Sequence, residues 1–252
     1  MRWRDDAIAS EVASFVLKLV KAKSETNFLE PGVGTGLNIL PFVQRGYSVT
    51  GIDMSAEMLD QLQKKAGDQC SNLTLIRGDA STLPLADSSF DVVIAAHMSH
   101  GVSGLETFAG EIHRVLKSGG FFLSAQWLLP SARLKFENQF RAIAANHTKK
   151  IESFRQSERF VDDVKLSHHL IKRGYEERYF KVKEWVVKNS VGELLENIQS
   201  KAYGYCWRLE EEAFKEVVEE FTAFCLEHYG SLTEEILSQA KYEIWSYQKP
   251  VP

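Results

Sequence analysis

Residues 28–42, FLEPGVGTGLNILPF, decide how the rest of the chain is read. Two apolar residues, Phe28 and Leu29, lead to an acid, Glu30. Glycines then stand at positions 32, 34 and 36, ahead of an apolar run with helical spacing. A strand, a tight turn and a helix start follow from that order. Glycine takes positive φ and admits a ligand where a Cβ would otherwise stand. The N–H groups of a helix's first turn are unpaired and face whatever the turn holds. A nucleotide-like ligand is the expectation.

Working outward, residues 47–53 (YSVTGID), 73–77, 90–96 and 121–127 read as strands. Residues 37–45, 56–65 and 105–116 read as helices between them. Gly46 stands where a helix would stop, Ser55 where one would be capped, and residues 117–120 (KSGG) where a third would close. Strands alternating with helices predict an α/β fold with a doubly wound, mostly parallel sheet, whose ligands bind outside the C-terminal strand ends. An amphipathic helix over residues 7–20 precedes this core. Beyond it, residues 131–175 are charged and helix-prone and read as an insertion, a lid over the ligand face. A sixth strand at 179–188, helices at 191–202 and 210–225, and a last antiparallel strand at 242–247 on the sheet edge complete seven strands. No composition break separates a second domain, so one domain over 1–252 is expected.

The chain has 252 residues and a net charge of −4, which offers no basic field for nucleic acid or anionic lipid. It is 44% hydrophobic, but no run approaches the ~20 apolar residues of a membrane helix. Cys70, Cys206 and Cys225 are scattered, without ligand spacing, which suits a reducing cytoplasm and no structural metal.

The identity of the ligand turns on two details. A dinucleotide turn needs a glycine at position 37, where this chain has Leu37. Glu30 would repel a pyrophosphate but attract an ammonium. Asp53, about twenty residues on, suits ribose hydroxyls. Asp79, at the end of the third strand, suits an exocyclic amine, with Ala80 offering backbone groups to a ring edge. The three acids can thus address an amine, a ribose and an adenine, and S-adenosylmethionine has all three.

The ordered motifs EPGVGTG (30–36), GIDMS (51–55), RGDASTLPLADSSFDVV (77–93) and RVLKSGGFF (114–122) resemble those of class I S-adenosylmethionine-dependent methyltransferases, nearest the small-molecule branch. That resemblance implies a Rossmann-like methyltransferase sheet. It assigns Glu30, Gly32 and Gly34 to the methionine part of the cofactor and Asp53 to the ribose, with Gly36 also cofactor-binding. Asp79 and Ala80 go to the adenine, with Met54 and Met58 packed on adenine or ribose. Ala96, ending the fourth strand, would lie beside the transferring methyl. His97 and His100, which follow it, are the candidate general bases, since histidine titrates near neutral pH. The expected partner is a small-molecule acceptor, with neither nucleic acid nor membrane. A nicotinamide-dependent oxidoreductase and a non-catalytic cofactor-binding module stand as alternatives.

Overall fold

A computed structural model describes residues 6–67, 70–96, 104–128, 131–147, 159–203 and 205–251. Helix α1 (Asp6–Leu19) precedes strand β1 (Asn27–Pro31), and α2 (Leu40–Val43) leads to β2 (Ser48–Asp53). Next come α3 (Ala56–Ala66), β3 (Leu73–Arg77), β4 (Phe90–Ala96), α4 (Leu105–Val115) and β5 (Leu116–Leu128). Then follow α5 (Ser131–Asn146), α6 (Arg159–Ile171), β6 (Glu176–Ser190), α7 (Val191–Gln199), α8 (Glu211–Tyr229) and β7 (Glu235–Gln248).

The seven strands form one sheet in the order β3-β2-β1-β4-β5-β7-β6. β1 is parallel to β2 on one side and to β4 on the other, so strand order reverses at β1. β3 joins β2 and β5 joins β4, again in parallel. β7 runs the other way along β5. The Lys249 N–H donates to the Gly120 carbonyl at 2.8 Å, Tyr247 stacks on Phe122, and Tyr242 meets Trp127. The doubly wound, mixed α/β sheet is the predicted one. However, the last strand lies between β5 and β6, not at the edge, and β6 takes the edge instead.

Local chemistry explains most boundaries. β4 (FDVVIAA) is apolar almost throughout because it is covered on both faces. Ser55 caps α3, its Oγ accepting from the Met58 N–H at 3.3 Å. α4 buries Phe108, Ala109, Ile112 and Val115 on one stripe. Two further expectations fail. The helix predicted over 37–45 shrinks to Leu40–Val43, since the residues after the glycines make turns first. The glycine stop at 117–120 lies inside β5: pairing jumps from Phe90↔Leu116 to Val92↔Phe121, so this segment bulges. A Cβ on Gly120 would meet the Asp91 and Lys117 carbonyls at 2.9 Å.

The chain forms two compact units. The first holds α1 to β5 up to Trp127, α6, residues 176–183 of β6 and residues 242–248 of β7. In its core α6 contributes Leu166 and Leu170 to the cluster that contains Phe108 and Ile112 of α4. The second holds α5, α7, α8 and the remaining halves of β6 and β7. Its core joins Phe136 and Phe140 to Leu194, Leu195, Val217 and Phe221. A buried ion pair, Arg133 Nε to Glu137 Oε1 at 2.8 Å, lies within this unit. Among the described residues no helix is long and apolar enough to cross a membrane.

Candidate functional site

The C-terminal ends of β1, β2 and β3 lie side by side, with Pro31 opposite Ile52 and Asp53 opposite Arg77. The turn leaving β1 needs its glycines, because Gly32, Gly34 and Gly36 have φ of 67°, 53° and 79°. Hydrogen bonds tie that turn to β2: the Val33 N–H donates to the Ile52 carbonyl at 2.9 Å and the Gly34 N–H to Asp53 Oδ2 at 2.8 Å. Asp53 Oδ1 accepts from the Ser55 N–H at 2.9 Å. Each Asp53 oxygen therefore holds one backbone donor and keeps a lone pair for another.

Glu30 is the unusual member of the site. It is 1% exposed, near the end of β1. Asn38 Nδ2 donates to its Oε1 at 2.9 Å, and the Tyr242 hydroxyl donates to Asn38 Oδ1 at 3.3 Å. Oε2 is buried and has no hydrogen-bond partner among the described residues. Burial pushes the Glu30 carboxyl up to about 8; the Asn38 hydrogen bond opposes that shift, and the negative charge of Asp53 adds to it. An unsatisfied carboxylate oxygen in a dry place is costly to a fold and suited to a cation.

Asp79 is exposed just past β3, and its Oδ1 accepts from the Ser81 N–H at 2.8 Å. Ala80, Ser81 and Leu83 behind it are buried. Arg114 of α4 fastens this loop, donating to the Leu83 and Leu85 carbonyls and pairing with Glu111 and Asp87. Glu111 in turn accepts from the Leu83 N–H at 2.7 Å. Met54 and Met58 are 67% and 39% exposed, so neither is a core methionine. Ala96 ends β4 half-buried. His97 and His100 lie outside the described residues. Asn38 and Tyr242 were not legible as site residues. The only hint was a polar side chain at 38 in an otherwise apolar run; Tyr242 lies far along the chain and gave none.

A carboxyl group beside a glycine turn at a topological switch point, with acids at the next two strand ends, suits a nucleotide-type ligand on an α/β sheet. The comparisons narrow the class. The family described as a methyltransferase domain matches residues 29–124. The chain is 28% identical over 131 residues to the methyltransferase YcgJ of Bacillus subtilis, covering 51% of this chain and 52% of that protein. It is 33% identical over 115 residues to the phthiotriol/phenolphthiotriol dimycocerosates methyltransferase of Mycobacterium tuberculosis, covering 46% of this chain and 39% of that one. The aligned segment thus spans about half the length of these curated relatives, or less. The crystal structure of Bacillus subtilis YcgJ superposes with a TM-score of 0.58 at 18% identity, covering 96% of this chain and 99% of that one. Over residues 29–124 the chain is thus similar to methyltransferase domains, with S-adenosylmethionine the cofactor supported. The residues present fit that cofactor: the unpartnered buried oxygen of Glu30 suits its ammonium.

Proposed function

We propose that the chain is an S-adenosylmethionine-dependent methyltransferase that acts on a small-molecule acceptor in the cytoplasm. The observation that carries this reading is Glu30, a buried carboxyl with one unpartnered oxygen beside the glycine turn. When bound, S-adenosylmethionine supplies a methyl group on a sulfonium whose departing thioether is neutral. The chain's own part is therefore alignment and exclusion of water. Glu30 would hold the ammonium, and the free lone pairs of Asp53 the ribose hydroxyls. Asp79 and the Ala80 backbone would hold the adenine, flanked by the exposed Met54 and Met58. Ala96 would border the transfer point. His97 or His100 would take a proton where the acceptor arrives protonated. Acceptor choice would be written in residues 131–175. The small-molecule class follows the mycobacterial relative, named for its phthiotriol and phenolphthiotriol dimycocerosates. The net charge of −4 offers nucleic acid no attraction. A dinucleotide is disfavoured by Leu37, which stands where a dinucleotide turn needs a glycine.

The test is transfer of a labelled methyl from S-adenosylmethionine to a panel of small acceptors. Labelled product is expected from the wild-type chain and none from Glu30→Gln. Substituting the histidine that takes the proton should slow transfer while cofactor affinity stays within about twofold. Tight cofactor binding with no transfer to any acceptor would favour a non-catalytic binding module instead.

A further inference from the structure

Glu30 has a support that the cofactor reading alone does not require. The side chain of Asn38 has a donor end and an acceptor end, and only one orientation serves a carboxylate. In the structure the Tyr242 hydroxyl donates to Oδ1 while Nδ2 donates to Glu30 Oε1, the orientation that serves a carboxylate. Tyr242 is itself held, fully buried, with its ring edge-on to Trp127 at 4.8 Å between centroids. A residue of the last strand thereby braces the acid of the first. A donated N–H favours the charged form of a carboxyl. Two titratable groups face Glu30 from other elements, Asp53 of β2 and Tyr242 of β7. Neither is a cation, and the negative charge of Asp53 opposes ionisation of Glu30.

We infer that Asn38 and Tyr242 are positioning residues for the cofactor's ammonium: they hold Glu30 with one oxygen free, and cofactor binding is coupled to loss of its proton. This rests on the reading of Glu30 as the partner of that ammonium. The balance is simple: the carboxyl proton leaves to solvent as the carboxylate–ammonium pair forms, and no covalent bond to carbon changes. Burial supports the coupling, since it lifts the free carboxyl to about 8. At pH 7 most of the cofactor-free protein would then carry the proton.

Calorimetric titration with S-adenosylhomocysteine, in two buffers of unlike ionisation enthalpy between pH 6 and 8, reads this directly. The wild-type chain should release close to one proton per ligand at pH 7. Its affinity should rise by up to about tenfold per pH unit below pH 8. Tyr242→Phe keeps the ring and removes the brace; affinity should fall about three- to tenfold, with the rise displaced to higher pH. Asn38→Ala removes the donor itself, and a loss of about ten- to a hundredfold is expected. Glu30→Gln separates the two ideas. If it binds as well as wild type, the cofactor reading of Glu30 is wrong. If it loses binding while Tyr242→Phe and Asn38→Ala keep wild-type affinity and pH dependence, only the positioning inference falls. Should Tyr242→Phe not fold, Asn38→Ala decides alone.

Discussion

Glu30 carries one oxygen on Asn38 and another, buried, without a partner among the described residues. Its carboxyl loses a proton near 4.5 when unfolded and only near 8 when folded. Between those values unfolding releases a proton, so this group's contribution to stability falls as pH rises through that window. Glu30→Gln keeps the shape and removes the ionisation. Without cofactor, the variant should gain about 1–3 kcal/mol on the wild type at pH 8, the ionisation cost avoided less that of burying an amide. At that size the melting midpoint rises by roughly 2–10 °C. The gain should shrink towards pH 4.5. Thermal unfolding at both pH values checks it, and a variant that is less stable at pH 8 would mean the carboxyl is not held neutral. Glu30 and Asp53 were legible in the sequence because glycines and strand ends mark their places. Asn38 was not, since a lone polar side chain in an apolar run says nothing of its partner. Tyr242 was hidden more deeply, because its bond to Asn38 spans most of the chain.

Among the elements, the glycine turn and α3 are mutually fitted. A Cβ on Gly36 would fall 2.2 Å from Leu62 Cδ1, and Leu62 is fully buried; a Cβ on Gly34 would meet nothing within 4 Å. Both positions have positive φ, so both alanine variants bear backbone strain of about 1 kcal/mol or more. Gly36→Ala adds a core clash of about 1–3 kcal/mol. Urea unfolding should therefore place Gly36→Ala clearly below Gly34→Ala, and equal losses would contradict the packing described. Element boundaries were readable where turn chemistry brackets an apolar run: β3 and β4 begin and end where the sequence indicates. They were misread where glycine had another use. The run after Gly36 twists through turns before any helix forms. The glycines at 119 and 120 bulge a strand that 117–120 had seemed to precede.

For the molecule as a whole, the parallel half of the sheet was legible because each strand is followed by a connection of predictable kind. The antiparallel half was legible only in part. β7 extends over Glu235–Gln248, well beyond the apolar core at 242–247, because alternation along its first half leaves it exposed on one face. Nothing local to β7 announces that it enters between β5 and β6. Nor does periodicity reveal that α5 and α6 belong to different compact units. The residues read as cofactor-binding all lie in the unit that also contains Tyr242, whereas the second unit has its own core around Phe136, Phe140 and Phe221. Calorimetric titration of the whole chain with S-adenosylhomocysteine, and separately with NAD+, tests the central claim most directly. The account predicts saturable S-adenosylhomocysteine binding that is lost on Asp53→Ala, and no heat of binding from NAD+. Binding of NAD+ without S-adenosylhomocysteine, or binding that survives Asp53→Ala undiminished, would contradict it.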